Sequence, residues 1–183
     1  SGADAGVING FSGNNMFTYK YSHESGLNLT LSYINASDAV TDVSYSDAGV
    51  TYTGMDGLTI GYGQGDVENV TNSKSNESTL FAKYAMGSVT VGIQKSEKDV
   101  ESGTDTESTG IGISYQVNDD LTVSYGTNTL EKSGSNDQEA QAIGISYTMG
   151  SLGIALSMNT VDNIANSATN DRDAYQLGLS FAF

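Results

Sequence analysis

The sequence predicts an all-β chain that forms an antiparallel transmembrane β-barrel wall of about eleven strands. Apolar and polar residues alternate in many short runs, and these runs recur in pairs. Six aromatic residues mark the repeat at spacings of 31, 32, 31, 32 and 36: Tyr21, Tyr52, Tyr84, Tyr115, Tyr147 and Phe183. About thirty residues make one membrane β-hairpin with its two connections. An aromatic residue at the same end of every second strand is typical of a barrel's interfacial girdle.

Each predicted strand carries apolar side chains at every second position, as a sheet with one apolar face requires. In chain order, the apolar sets span Phe17–Tyr21, Leu27–Tyr33, Ala48–Tyr52, Leu58–Tyr62, Leu80–Met86, Val89–Ile93, Ile111–Val117, Leu121–Tyr125, Gln141–Met149, Leu152–Met158 and Tyr175–Phe183. With their flanking residues, these sets approach the roughly 9–11 residues that a tilted membrane strand needs.

The predicted connections alternate between short turns and long polar loops. The short turns, rich in Gly, Asn and Asp, are His23–Gly26, Gly54–Gly57, Gly87–Ser88, Asn118–Asp120 and Gly150–Ser151. The long loops are Ile34–Ser44, Gln64–Glu77, Gln94–Ser108, Leu130–Glu139 and Thr160–Asp173. Short turns on one side of the membrane and long loops on the other are typical of outer-membrane barrels, with the short side periplasmic.

Composition excludes several other classes of protein. Only 37% of the residues are hydrophobic, and no apolar stretch approaches the roughly 20 residues of a spanning helix. The chain has no Cys, which excludes a disulfide framework and zinc sites of the usual kind. Its net charge of -15 argues against nucleic-acid binding, which needs a basic surface.

The polar face of the predicted strands consists of small neutral residues, mainly Gly, Ser and Thr. Lys20 and Lys83 are the charges that we predict within this face, and Phe81 is an aromatic side chain on it. A soluble β-sandwich would carry many charged residues there. Small hydroxyl groups and glycines instead suit the wall of a water-filled channel, so these three residues are predicted to line a pore.

Eighteen of the 22 acidic residues fall in the N-terminal segment, in the predicted long loops or at the adjoining strand ends. A solvated outer rim explains this distribution. The alternative is a calcium site, because Glu97, Asp99 and Glu101, with Asp105 and Glu107, could present several oxygens to one ion. Nothing in the chain predicts catalysis, since the single histidine, His23, lies in a predicted turn with no nucleophile in register.

The C-terminal stretch from Tyr175 to Phe183 resembles the last strand of Gram-negative outer-membrane proteins, which typically end in Phe. In that family the barrel-assembly machinery reads this signal, so Tyr175, Phe181 and Phe183 are implied assembly residues. With its hairpin alternation, the whole chain resembles the general diffusion porins of the alphaproteobacterial type. These are homotrimers of 16-stranded barrels with one loop folded into the lumen.

The resemblance implies further assignments. Residues 16–183 would be the C-terminal portion of the barrel, and residues 1–15 the tail of the constriction loop. Asp4 would then add to the acidic side of the eyelet and Lys20 to its basic side. We expect N-terminal strands to be missing from this chain, because an odd strand number leaves a sheet edge open in lipid.

The expected function is passive diffusion of ions and small polar solutes through an outer-membrane channel with a weak cation preference. No cofactor is obligatory, although calcium could bind the acidic loops. The expected partners are outer-membrane lipids including lipopolysaccharide, the assembly machinery and two further copies of the chain. The alternatives are an autotransporter-type translocator barrel and a secreted calcium-binding adhesin or S-layer module.

Overall fold

The computed structural model describes residues 16–35, 43–69 and 74–182. These residues form eleven β-strands and one 3-10 turn. Their bounds are β1 Met16–Ser22, β2 Leu27–Ile34, β3 Val43–Tyr52, β4 Leu58–Asn69, β5 Lys74–Met86, β6 Val89–Val100, β7 Thr106–Gln116, β8 Leu121–Lys132, β9 Gln138–Met149, β10 Leu152–Asp162, η1 Ile164–Asn166 and β11 Arg172–Phe181.

The strands form one antiparallel sheet in which each strand pairs with its neighbours along the chain, from β1 to β11. This confirms the predicted number of strands and their antiparallel order. In the described part of the chain, β1 and β11 are the two edge strands. None of the helices among the described residues is long and apolar enough to cross a bilayer.

The predicted long loops are wrong in their extent, because the strands continue well into them. β4 and β5 reach Asn69 and Lys74, and β6 and β7 reach Val100 and Thr106. Among the described residues, the connections that remain on this side are 101–105, 133–137 and 163–171. Polar sequence does not end a strand here because the antiparallel ladder satisfies the backbone groups whatever the side chains are.

The first of two compact units contains the described residues up to Ala82 together with Gln94–Ser108. Its register places Lys20, Thr30, Gly49 and Gly63 in one row on four successive strands. We call the side of the sheet that carries this row the small-residue face. The opposite side, which carries Leu31, is the apolar face.

The second unit contains Lys83–Ile93 and Thr109–Phe181 of the described strands. Its register shows the same separation of residue types. Apolar residues pair in the row Val123, Ile145, Leu156 and Leu177, and small or amide residues pair in the row Ser124, Gly144, Ser157 and Gln176. The alternation predicted from sequence therefore survives as two chemically distinct faces in each unit.

At the ends of β2 to β4 that lie away from the short turns, apolar residues are on the small-residue face and charged residues are on the apolar face. Ile34, Tyr45 and Val67 pair in one row on the small-residue face and are half-buried. On the apolar face, Asp66 and Glu68 at the same level are exposed. Apolar residues on the opposite side indicate that these strand ends project beyond the apolar band of the sheet, which explains why the sequence pattern suggests loops.

The short turn between β1 and β2 shows why glycine is needed at one end of the sheet. Gly26 has φ of +85°, a backbone conformation that side-chain-bearing residues rarely adopt. A Cβ on Gly26 would also collide with the backbone of Gly54. The carbonyl of Gly26 accepts hydrogen bonds from the backbone N–H and the side-chain hydroxyl of Thr53, at 2.9 and 3.3 Å.

Candidate functional site

The apolar face is largely uncovered by the chain itself. Leu31, Ile93 and Leu177 have exposed fractions of 49%, 50% and 61%. A water-soluble monomer rarely exposes a continuous apolar surface over so many strands, because its hydration is unfavourable. The surface requires an apolar environment, which the lipid of a bilayer supplies.

Tyrosines lie at both borders of the apolar band. Tyr21, Tyr52, Tyr84, Tyr115 and Tyr147 are all exposed on the apolar face, next to the short turns. At the other border, tyrosine hydroxyls donate to side-chain amide oxygens. The three bonds are Tyr33 to Asn35 (3.2 Å), Tyr62 to Gln64 (3.1 Å) and Tyr125 to Gln141 (3.2 Å). Rings in the apolar band with hydroxyls directed to polar groups are typical of membrane interfaces.

The small-residue face presents hydroxyl groups and glycines along most of its length. In the first unit, Lys20 lies on it in register with Thr30 and Gly49 and is exposed. Farther along the same level, the hydroxyls of Thr79 and Ser96 form a hydrogen bond of 3.0 Å. This surface is polar and, around Lys20, accessible to water.

Phe81 lies on the small-residue face, on the side predicted from its position in the sequence. Its ring packs over Gly61 of β4, where a Cβ would collide with it, and Thr51 borders the same spot. Lys83 is two residues farther along β5, on the same strand face, and is exposed. Asp4 and Phe183 lie outside the described residues, so the structure says nothing of their predicted roles.

Three charged residues on the small-residue face were not predicted there. Asp47 pairs with Gly65, one level beyond the Lys20 row. Glu77 and Lys98 lie two residues beyond Thr79 and Ser96, and the Lys98 Nζ is 2.7 Å from the Glu77 Oε1. They were missed because the sequence pattern placed them in loops or at strand ends. Once β5 and β6 are extended, their parity alone puts them on this face.

Four polar residues of the small-residue face are nearly inaccessible to solvent: Ser75, Glu77, Ser96 and Ser108. All four belong to the first unit, and Ser96 is only 2% exposed. On β8 and β9 of the second unit, by contrast, Ser124 and Ser146 are exposed. The small-residue face therefore combines an open neutral part with a covered part that contains an ion pair.

In the second unit, which also contains Lys83, a further base lies on the small-residue face of β11. Arg172 pairs with Val161 at the start of β11 and is exposed. Nearer the apolar band, the same strand contributes the neutral residues Gln176, Gly178 and Ser180. On β11, charge on the small-residue face is therefore confined to the end next to the long connections.

The candidate calcium ligands do not converge. Glu97, Asp99 and Glu101 lie at the far end of β6 or just after it. Lys95 binds Glu97 at 2.7 Å and Glu107 at 3.0 Å. Asp105 uses its Oδ1 to accept a hydrogen bond from the Val100 backbone N–H at 2.8 Å. Among the described residues, no three acidic or histidine side chains are grouped to hold one metal ion. Calcium binding thus stays a prediction without a preformed cluster.

The exposed lysines at this rim are held by carboxylates. A hydrogen bond from Lys74 to Glu68, and then their charge attraction, raise the pKa of Lys74. Lys74 also lines an open hollow of about 350 Å³ with Asn76, Asp99 and Glu101. Because both partners of the Lys74–Glu68 pair are well exposed, the pair adds little to stability.

Two of the residues predicted to take part in assembly lie on β11. Tyr175 and Phe181 are exposed on the apolar face of β11.

The His23 Nδ1 is 2.8 Å from the Ser25 hydroxyl and accepts a hydrogen bond from the Ser25 backbone N–H at 3.2 Å. His23 thus stabilises its own turn through its contacts with Ser25.

An antiparallel sheet with an exposed apolar face, tyrosine borders and a small-residue polar face defines the wall of an outer-membrane β-barrel. The family model for Gram-negative porins matches residues 1–183. The chain therefore belongs to the Gram-negative porin family, and its location is the bacterial outer membrane. No curated protein sequence matches it significantly.

Solved porin structures share the fold at low sequence identity. An anion-selective porin from Comamonas acidovorans is 17% identical, with a TM-score of 0.77 over 93% of this chain and 60% of that one. A porin refined at 1.8 Å resolution is 16% identical, with a TM-score of 0.73 over 96% and 66%. The trimer form of OmpT from Vibrio cholerae is 14% identical, with a TM-score of 0.63 over 92% and 64%. The chain thus spans less than two thirds of these porins.

Proposed function

We propose that the protein acts as a general diffusion porin, a water-filled channel for passive movement of ions and small polar solutes. The observation that carries this proposal is the division of every described strand between an exposed apolar face and a small-residue face. Lipid would cover the first, and water would fill the space beside the second. Membership in the porin family supports the same function, and it favours neither the autotransporter nor the adhesin alternative.

We further propose that the working unit is a homotrimer. The trimer form of the Vibrio cholerae porin supports this assembly. The exposed apolar faces of β1 and β11 would contribute to the contact between copies or to the lipid boundary. Outer-membrane lipids and the barrel-assembly machinery complete the proposed set of partners, and no chemical step is part of the function.

We propose a weak cation preference at low salt. Its basis is the excess of 22 acidic over 7 basic residues, with acids such as Asp66, Glu68 and Asp99 at the rim. An acidic mouth concentrates cations, and its effect fades as salt shortens the Debye length from about 10 Å at 0.1 M to about 3 Å at 1 M. Lys20, Lys83 and Arg172 on the small-residue face act in the opposite direction.

A pair of neighbouring substitutions tests the channel function. Leu29 and Thr30 are adjacent in β2 but lie on the apolar and small-residue faces, respectively. We expect Leu29→Arg to lower the free energy of unfolding by about 2–4 kcal/mol, because it places a charge in lipid. Thr30→Arg should fold normally and change single-channel conductance in planar bilayers.

Equal destabilisation by the two substitutions would indicate a packed sandwich and overturn the channel proposal. Reversal potentials across a salt gradient test ion preference in the same bilayers. A clear anion preference at low salt would show that the bases of the small-residue face outweigh the acidic rim.

A further inference from the structure

The ion pair between Lys98 and Glu77 differs from the other ion pairs of the described residues in its burial. The Glu77 side chain is 4% exposed and the Lys98 side chain 21%, whereas the side chains of the other pairs are 35% to 58% exposed. A separation of 2.7 Å with little water nearby makes this a strong, charge-assisted hydrogen bond. Breaking such a pair by removing one partner leaves an uncompensated charge.

The position of the pair links it to the channel wall. Glu77 lies two residues before Thr79 on β5, and Lys98 two residues after Ser96 on β6, so the pair occupies the next level of the small-residue face. Two residues farther out are Ser75 and Val100, which are buried and half-buried. The pair therefore sits between a hydroxyl level and a covered level, on the side of the sheet proposed to face the channel.

We propose that Glu77 masks the positive charge of Lys98, so that Lys98 adds little positive potential to the channel wall that passing ions meet. Glu77 is then a residue that determines ion preference without itself contacting the ions. This inference rests on the proposed channel function. According to this inference, the sequence contains a basic residue of the channel wall, Lys98, whose charge is offset by Glu77 in the folded protein.

The substitution Glu77→Gln tests the masking directly. It keeps the shape of the side chain and leaves the charge of Lys98 without its carboxylate. For ions that pass within one Debye length of the unit charge, about 10 Å at 0.1 M salt, we expect the ratio of cation to anion permeability to fall roughly 1.5- to 2-fold at 0.1 M and to return towards that of the unaltered protein near 1 M.

Glu107→Gln is the control for the loss of one negative charge, and Lys95 keeps Glu97 as a partner in this variant. It makes the same charge change beside Lys95, one strand away, but this pair lies on the opposite face of the sheet. The double variant Glu77→Gln with Lys98→Gln removes both charges, so its permeability ratio should equal that of the unaltered protein. The masking proposal is overturned if the permeability ratio of Glu77→Gln equals that of Glu107→Gln. It is also overturned if the double variant shows the same lowered permeability ratio as Glu77→Gln.

The experiment separates failure of this inference from failure of the proposed function. If a protein that also carries the strands predicted to pair with β1 and β11 does not conduct in planar bilayers, the channel function is wrong, and the masking is wrong with it. If it conducts and the variants behave as the control does, only the masking is wrong. If Glu77→Gln does not fold, the double variant and the reversed pair Glu77→Lys with Lys98→Glu decide, since both should keep the original permeability ratio and a shift in either overturns the proposal.

Discussion

At the residue scale, the contact between Gly61 and Phe81 shows how one missing side chain shapes the small-residue face. The Phe81 ring occupies the space where a Cβ of Gly61 would lie, with the Thr51 Cγ2 bordering it. A ring can approach a strand this closely where that strand has no side chain, and such close approach is a common reason for glycine inside a strand. Gly61 therefore holds Phe81 close to the wall.

We predict that Gly61→Ala forces the Phe81 ring away from β4. The added methyl should lower the free energy of unfolding by about 1–3 kcal/mol through overpacking. If the ring turns into the proposed channel instead, single-channel conductance should fall while stability is retained. Urea unfolding and bilayer conductance measure the two effects.

Gly63→Ala is the matched control for this prediction. Gly63 lies on the same strand and face, but the nearest atom to an added Cβ is the Thr79 Cγ2 at 3.5 Å, an ordinary contact. We expect this variant to keep both stability and conductance. Similar behaviour of the two alanine variants would contradict the assigned packing of Phe81.

At the element scale, the connection between β10 and β11 is a structured loop latched to the β8–β9 connection. The Asn166 Nδ2 donates to the carbonyls of Leu130 at 3.0 Å and Asn136 at 2.7 Å. The Asn163 Nδ2 donates to the carbonyl of Asp137 at 2.8 Å, and the backbone N–H of Ala165 donates to the Gln138 Oε1 at 2.9 Å. These bonds bring together segments that are separated by about thirty residues in sequence.

The backbone of this loop explains the choice of asparagine. Asn163, Ala165 and Asn166 have φ of 55°, 58° and 60°, in the left-handed region that asparagine tolerates better than most residues. At Asn166 the residue therefore provides both the backbone conformation and the amide donor. The sequence composition predicts only a polar loop here. The latch becomes visible in the structure, which shows the carbonyls that accept the asparagine hydrogen bonds.

We predict that Asn166→Asp releases the latch, because a carboxylate cannot donate hydrogen bonds to the two carbonyls. Aspartate has a backbone preference similar to that of asparagine, so the substitution removes the donor without a large change in backbone strain. Proteolysis of the 163–171 connection in intact membranes should become faster. Asn166→Ala should add strain of about 1–2 kcal/mol from the left-handed backbone and be cleaved faster still. Unchanged cleavage in both variants would show that the amide bonds do not hold the loop.

At the scale of the whole molecule, the described residues form an odd number of strands, each antiparallel to the next, so the edge strands β1 and β11 have the same direction in this alternation. Such edges cannot close an all-antiparallel ring with each other. Since the chain spans 60% of the Comamonas porin, we predict that strands outside this sequence pair with both edges in the working pore.

Cross-linking tests this prediction on residues 1–183 refolded in detergent. Thr18→Cys with Ser32→Cys should cross-link readily, because these residues are directly opposite in β1 and β2. Thr18→Cys with Gly178→Cys, on the two edge strands, should not cross-link within one monomer. An efficient intramolecular link between the edges would show that this sequence closes a small barrel by itself.

The sequence predicts much of the fold because membrane strands are specified locally. Alternation of apolar and polar residues determines which side of each strand meets lipid, and short Gly- and Asn-rich turns determine where the chain reverses. The number of strands, their order and the faces of Lys20, Phe81 and Lys83 are all correct as predicted from alternation. Their role in lining a pore stays a prediction.

Only the tertiary structure decided how far the strands extend and which charges meet. Beyond the apolar band, the outer face of the strands carries polar residues, so apolar alternation no longer marks a strand in the sequence. The backbone ladder nevertheless continues there, whatever the side chains are. Glu77 and Lys98 are 21 residues apart, and their pairing depends on the register between β5 and β6. Sequence alone determined the two faces of this protein because each is a property of one strand. The Glu77–Lys98 ion pair, the buried polar residues of the small-residue face and the loop latch required the structure, because each depends on contacts between strands or loops that are distant in sequence.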